Sequence, residues 1–378
     1  MLSRLHVRNF KGLRDLKVSF GPLTVLVGPN GCGKSSVLGA IAALRNLILA
    51  RPNRRIGPDF PAGTVSRPLD SEGTSQSVGM LLECASPREP LQVQATLTPH
   101  ADYPDILDVD RTELVVSNGG GTYTKPWNEQ AIPDWVSSCF HHVEEYRLDV
   151  AVMSRPAYSE EARPALGTRG ENLAAVLDAL QGERRELFEA VEAELCKFVP
   201  GLRRVRLHRV SMPINRMVLV GNEYQNVRDS AVGHQVVLDF DFAKSIAADQ
   251  ASEGTLLLLG LLTIIGIQSV APTTVMLDDL DRALHPKAQR QLIEHLHGLL
   301  ESRPDLQIIA TSHSPYLVEH LAYEEVLAMT QSSVDGRSLI APLAEHPEAE
   351  RWRDEMSAGE FWSTMGERWV EEDKAASE

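Results

Sequence analysis

Eight consecutive residues, Gly28-Pro29-Asn30-Gly31-Cys32-Gly33-Lys34-Ser35, constrain this chain more than any other stretch, because they fit the spacing G-x-x-x-x-G-K-[ST]. That spacing acts on a ligand only between a strand and a helix, and both are legible. Leu23-Thr24-Val25-Leu26-Val27 is a short apolar run rich in β-branched residues, which predicts a buried strand. Val37, Leu38, Ile41, Leu44 and Ile48 then recur at three- and four-residue steps, which predicts a helix with an apolar face. In that order, glycines at 28, 31 and 33 let successive backbone N–H groups turn inward toward phosphate oxygens, and the helix N-terminus adds its partial positive charge. Lys34 is then placed to reach the β- and γ-phosphates of a nucleotide, and the Ser35 hydroxyl to ligate Mg2+.

Binding becomes hydrolysis only with carboxylates, and these stand at the end of Thr274-Val275-Met276-Leu277-Asp278-Asp279, a hydrophobic strand tipped by two acids. Asp278 is placed to hold Mg2+ directly or through water, and Asp279 to orient or deprotonate the attacking water. Pro286 suits the first turn of a helix running to Leu300. Leu306 to Thr311 reads as a further buried strand, followed by Ser312-His313-Ser314-Pro315. A lone histidine is commonly structural, but one just past such a strand can reach a γ-phosphate or the attacking water, so His313 is a candidate sensor. Ala251-Ser252-Glu253-Gly254-Thr255 opens an apolar helix, where a small hydroxyl residue and a glycine can make an anion site. Its natural client is the γ-phosphate held by a second subunit; a simple N-cap by Ser252 is the alternative.

Composition bounds the partners. With 378 residues, 43% hydrophobic and 24% charged, the chain is long enough for one large or two medium domains. The net charge of -15 rules out a broad positive coat, so nucleic acid could be met only through a local patch. Arg203-Arg204-Val205-Arg206-Leu207-His208-Arg209 is the candidate: either a phosphate-backbone patch or the solvated face of a strand with Val205 and Leu207 inward, the second reading favoured in so acidic a chain. Cys32, Cys84, Cys139 and Cys196 lie far apart without metal-type pairing, which fits a reducing cytoplasm. Met1 to Val7 lacks the apolar core of a signal peptide, and the run from Leu256 to Ile267 is broken by Gly260, Thr263 and Gly266 and falls short of the ~20 residues a bilayer requires, so a soluble protein without a membrane partner is expected.

Along the chain, Leu2 to Phe20 reads as two short strands. From Arg51 to about Pro133 the pattern is β-rich with turns, including Leu91 to Ala95, Glu113 to Val116 and Gly119-Gly120-Gly121. Helical patterning returns at Glu171 and continues through Arg184 to Phe198, ending at Pro200-Gly201. Three strand-like segments follow, Val205 to Val210, Met217 to Val220 and Val236 to Phe242. Near the end, Trp352, Phe361, Trp362 and Trp369 cluster among glutamates, a tail that either packs on its own body or docks a partner.

Together the loop from Gly28 to Ser35, Asn9-Phe10-Lys11, Ser252-Glu253-Gly254-Thr255, Asp278-Asp279 with Leu284-His285-Pro286, and Ser312-His313-Ser314-Pro315 resemble the ATP-binding-cassette ATPases of the RecF, structural-maintenance-of-chromosomes and overcoming-lysogenization-defect group. Glu171-Asn172-Leu173-Ala174 is similar to a segment of the compact bacterial members classed as AAA-family ATPases. The resemblance implies an α/β fold: an ABC-type P-loop NTPase core with a parallel-rich central sheet flanked by helices, a β-rich N-terminal lobe and a helical insertion. The implied organisation is 1–50 as the N-terminal part of the core, 51–135 as the β-rich lobe, 136–245 as the helical and β insertion, 246–345 as the C-terminal part of the core, and 346–378 as the tail.

The implied cofactors are ATP and Mg2+. Asn9, Phe10, Asn30, Gly31, Cys32, Gly33, Lys34, Ser35 and Ser36 would contact ATP in one subunit, and Ser252, Glu253 and Gly254 would complete the site from the other subunit of a head-to-tail homodimer. Lys34, Asp279 and His313 would be catalytic, and Ser35 and Asp278 would hold the metal. Relatives in this group act in phage defence beside an effector or in DNA repair, so an ATPase controlling a partner, a slow nucleotide-gated scaffold and a direct DNA-repair clamp all stay open. Two departures bear on that choice. Family members usually carry Glu where this chain has Asp279, one methylene shorter, which implies slow hydrolysis. There is also no heptad arm, and about sixty residues follow Ser314, too few for a fused nuclease of ordinary size, so any effector is expected on another chain.

Overall fold

A computed structural model describes residues 1–49, 78–84, 91–99, 107–118, 121–126, 134–220, 223–267 and 273–372. They group into two compact units, Met1–Glu145 with Ala271–Asp281 and Leu292–Glu378, and Tyr146–Val270 with Arg282–Gln291.

The first unit holds two six-stranded sheets. Strands β1 (Leu2–Phe10), β2 (Leu13–Ser19) and β3 (Leu23–Val27) lead into helix α1 (Lys34–Leu49), as the sequence predicts. Then come β4 (Val78–Cys84), β5 (Leu91–Pro99), β6 (Leu107–Asn118) and β7 (Gly121–Pro126), with Gly119-Gly120 of the expected glycine turn lying outside the described residues. These strands form one antiparallel sheet in the order β2-β1-β4-β5-β6-β7. Strict alternation in β4, with Val78, Met80, Leu82 and Cys84 buried, marks a sheet with one face on a core.

After α2 (Asp134–Phe140) and β8 (Val143–Tyr146), this unit resumes with β12 (Thr273–Leu277) and β13 (Leu306–Thr311), and the second sheet runs β15-β14-β3-β13-β12-β8, with β14 as Val326–Gln331 and β15 as Ser338–Pro342. Strands β14, β3, β13 and β12 are parallel neighbours. All positions of β3, β12 and β13 are buried, the continuous apolar run of a sheet covered on both faces.

Helix α1 explains why that cover is dry. Its buried residues include Val37, Leu38, Ile41, Leu44, Leu47 and Ile48, which join one core with Leu5, Val7, Met80 and Val93 of the antiparallel sheet and Leu26, Met276, Ile309 and Met329 of the parallel one. Each such aliphatic side chain contributes about 1.5–3 kcal/mol on burial. Gln307 fastens the strands polar to polar: its amide accepts from Leu2 N (2.8 Å) and Thr274 Oγ1 (3.0 Å) and donates to Leu2 O (2.8 Å) and Gly21 O (2.9 Å).

The aromatic tail packs on this same unit. Helices α9 (Ala349–Trp352) and α10 (Ala358–Met365) carry it, α10 against α8 (Pro315–Val318), and Phe361, Trp362 and Trp369 are buried, with His346 edge-on to both Phe361 and Trp369 at 4.9 Å. Gly359 lies so close to α8 that a Cβ there would sit 2.2 Å from Pro315 O.

The second unit contains α3 (Val150–Met153), α4 (Leu173–Glu183), α5 (Arg185–Phe198), the three-stranded sheet β11-β10-β9, and α6 (Glu253–Ile267). Two expectations need correction. The helix predicted from Glu171 through Phe198 is two helices, because Arg184 leaves the helical region at φ -134°, ψ 54°. The three predicted strand segments are one long hairpin, β9 (Leu202–Val220) and β10 (Glu223–Phe240), with β11 (Ile246–Ala247) beside its base. Residues 211–216 and 223–235, which lie between the expected segments, also pair as strand in this hairpin. Helix α7 (Pro286–Ser302) starts at the proline that was expected there. No helix among the described residues is long and apolar enough to cross a membrane, and all four cysteines are free.

Candidate functional site

The loop after β3 is shaped by what stands behind it. Gly28 has φ +141°, and a Cβ there would lie 2.1 Å from Met329 O, so only glycine fits. Gly33 has φ +106°, and its Cβ would lie 2.6 Å from Ser338 Oγ. Gln331, at the end of β14, donates from Nε2 to Gly31 O at 2.9 Å and so grips the crown of the loop. Its contact bridges 300 residues and leaves no local pattern, which is why sequence reasoning missed it. Asn30, Gly31 and Ser35 are exposed, Ser36 half-buried, and Cys32 fully buried.

Lys34 is 5% exposed, with Nζ donating to Gly28 O (2.8 Å) and Pro29 O (3.0 Å) and standing 3.5 Å from His313 Nδ1. Burial pulls its pKa down, opposed by Cys32, Asp279 and Asp278, so both acids lie within electrostatic reach of the ammonium. Burial likewise pushes the Cys32 thiol up, against the pull of Lys34, which keeps this sulfur a protonated, inert part of the loop.

The strand-tip acids meet the loop from the far end of the sequence. Ser35 Oγ donates to Asp278 Oδ1 at 2.9 Å across 243 residues. The same Oδ1 lies 2.7 Å from Thr311 Oγ1, which in turn accepts Asp279 N–H at 2.8 Å. Asp279 has φ +59°, in the left-handed region. Asp281 Oδ1 accepts the backbone N–H of His313 at 3.1 Å, fixing the start of the His313 loop at the end of β13, and the His313 side chain is exposed. Six of the predicted residues, Gly33, Lys34, Ser35, Asp278, Asp279 and His313, therefore belong to one neighbourhood.

Asn9 (φ +58°) and Phe10 are the last two residues of β1. Phe10 is 1% exposed and packed into the core, with Lys11 Nζ 5.3 Å from its ring centroid. Ser252, Glu253 and Gly254 lie in the second unit, where Ser252 Oγ accepts Thr255 N–H (3.3 Å) and bonds Thr255 Oγ1 (2.6 Å), capping α6. A Cβ on Gly254 would sit 2.9 Å from Ala283 O. Two of the four arginines in the patch are already partnered, Arg203 with Asp241 (2.5 Å) and Arg206 with Asp239 (2.7 Å), while Val205 is buried and Leu207 half-buried.

These residues fit a triphosphate with Mg2+. The loop lies so close to Met329 and Ser338 behind it that 28 and 33 admit only glycine, which leaves its backbone free to turn toward phosphate, and the hydroxyl and carboxylate meeting at 2.9 Å are the hard oxygen donors Mg2+ takes. A phosphate loop facing strand-tip acids on a parallel-rich sheet defines a P-loop ATPase of the ABC/AAA type. The profile of the family described as "AAA domain, putative AbiEii toxin, Type IV TA system" matches residues 23–319, and the chain belongs to that family.

Among its relatives, the OLD nuclease of Thermus scotoductus is 56% identical over 41 residues, 11% of this chain and 8% of that protein. The Septu protein PtuA of Bacillus thuringiensis is 40% identical over 55 residues, 15% of this chain and 13% of that protein, so the matched stretches span only a small part of either relative. A solved Smc head domain with an extended coiled coil, bound to the C-terminal domain of ScpA derived from Pyrococcus furiosus, shares the fold, with a TM-score of 0.56, 13% identity, and coverage of 94% of this chain and 98% of that one. The expected α/β ABC-type core is thus met, and the chain is similar to an OLD nuclease over a short stretch and to an Smc head in fold.

Proposed function

We propose that this protein binds ATP with Mg2+, hydrolyses it, and uses the cycle to control a separate effector or nucleic-acid-processing partner in bacterial anti-phage defence. The reading is carried by the bond from Ser35 to Asp278, which joins phosphate loop and acidic strand tip at one point. Lys34 exchanges its two carbonyl acceptors for β- and γ-phosphate oxygens, which bind an ammonium more strongly because they are charged. Backbone N–H groups of the loop, with Asn30, Cys32 and Ser36, line the triphosphate, and Asn9 with the Phe10 turn stands toward the rest of the nucleotide. Ser35 and Asp278 hold Mg2+, which supplies charge neutralisation on the phosphates. Asp279 orients or accepts a proton from the attacking water, and His313 senses the γ-phosphate.

In this reading two copies close head to tail, and Ser252, Glu253 and Gly254 of one complete the site of the other. The short matches to the OLD nuclease and to PtuA support a defence setting, and the Smc head solved with a ScpA domain supports a separate protein partner. Asp279, shorter than the Glu usual in this group, favours one second reading, a slow-hydrolysing scaffold that holds an effector until triggered. A direct DNA clamp is disfavoured, because Arg203 and Arg206 already spend their charge on Asp241 and Asp239.

Single-turnover hydrolysis of wild type and Asp279→Asn, with light scattering to follow ATP-dependent dimerisation, tests the reading. A hydrolysis rate that falls in the variant and a mass that doubles with ATP support it. Equal rates leave the scaffold, and wild-type protein that takes up no ATP ends both.

A further inference from the structure

Two adjacent acids present a geometric problem. Successive side chains of a strand point to opposite faces, so Asp278 and Asp279 on a continued β12 could not both serve one site. The chain breaks that alternation at Asp279, whose φ of +59° is uncommon for a residue with a side chain. Such a conformation persists only where its surroundings hold it.

Thr311 does the holding. It is fully buried at the end of β13, the parallel neighbour of β12. Its hydroxyl has one proton and two partners. Asp279 N–H can only donate, so it takes a lone pair at 2.8 Å, and the hydroxyl proton is left for Asp278 Oδ1 at 2.7 Å. One side chain thereby orients the carboxylate of Asp278 and pins the backbone turn of Asp279. The next residue is tied to the same position, Leu280 N–H donating to Thr311 O at 3.0 Å. Valine in this place would keep the shape and lose both hydroxyl bonds.

We propose that Thr311 is a positioning residue for Mg2+ and for the attacking water, acting through Asp278 and Asp279, with no contact of its own to nucleotide. The inference rests on the ATPase reading. Partners that orient metal ligands typically set affinity or activity by about 10–100-fold. Thr311→Val is therefore expected to raise the Mg2+ concentration for half-maximal binding of a fluorescent ATP analogue by about tenfold or more and to lower single-turnover hydrolysis comparably. Binding of the same analogue in EDTA, which depends on Lys34 and the loop, is expected to stay unchanged. Thr311→Ser, which keeps the hydroxyl, is expected to restore Mg2+ dependence to within a few-fold of wild type. In a double-mutant cycle, Asp278→Asn and Thr311→Val are expected to be less than additive, since one acts through the other.

Thr311→Ala supplies a second hydroxyl-free variant with less steric demand. A folded Val or Ala variant with the Mg2+ response of wild type overturns the proposal, and so does a Ser variant no better than Val. Failure of both Val and Ala to fold also overturns it, because the hydroxyl would then serve folding. Wild-type protein whose nucleotide binding ignores Mg2+ overturns the ATPase reading itself, a different result from an unresponsive variant.

Discussion

β12 and β9 are both strands, yet they answer to different rules. Every one of the five residues in β12 is buried, beside its parallel neighbour β13 and under α1, whereas β9 leaves Arg203, Arg204, His208, Arg209, Ser211, Pro213 and Asn215 exposed. The hairpin it forms with β10 even exposes Met217 at 68% and Val232 at 61%. A position in the interior sheet is defined by atoms on all sides, so its chemistry can be tuned and its replacement is costly. A hairpin with water on it defines little beyond its own register. The tip of β12 is where a carboxylate can be desolvated and aimed; the exposed positions of the hairpin constrain far less.

The sharpest way to break this contrast is at the loop and strand tip. Lys34→Ala is expected to lower single-turnover hydrolysis by about 100-fold or more; activity within a few-fold of wild type would remove the interior sheet as the seat of the chemistry. Next comes the fastening of the interior sheet. Gln307→Leu strands Leu2 N–H and C=O, Gly21 O and the Thr274 hydroxyl, and is expected to cost about 3 kcal/mol in chemical denaturation.

A smaller, pH-dependent effect is expected where the tail packs. Burial holds the His346 pKa below its usual 6.5, so the unfolded chain takes up a proton that the folded chain resists. Stability is therefore full above pH 6.5 and falls as pH drops below it. Melting at pH 7.5 and 5.5 is expected to show the loss, and His346→Gln to reduce the difference.

The smallest effect is expected in the hairpin. Replacing Pro213 to Ser230 by an Asn-Gly turn between the paired residues Met212 and Ala231 is expected to leave ATP affinity within about twofold, measured by titration of a fluorescent analogue. A large loss there would mean the hairpin belongs to the functional site after all.

Local patterns announced β3, α1, β12 and β13, because a buried parallel strand and the helix beside it write their burial into consecutive residues. The same patterns failed at Arg184, where a break two residues after Gly182 separates α4 from α5, and in β9, whose residues 211–216 fell between the strand-like segments. Phe10 was legible as part of a motif, but its burial in the core was not. Thr311 and Gln331 left no trace, since a threonine closing a strand and a glutamine ending one are unremarkable until their partners are known.

By itself, then, the sequence determined which backbone could cradle phosphate and which acids would stand at a strand tip, because glycine spacing and strand burial are properties of neighbouring residues. Tertiary structure alone decided that Ser35 would meet Asp278, that Thr311 would bind both acids, and that Gln331 would hold the loop. Those are encounters between segments up to 300 residues apart, and only packing brings them within a hydrogen bond.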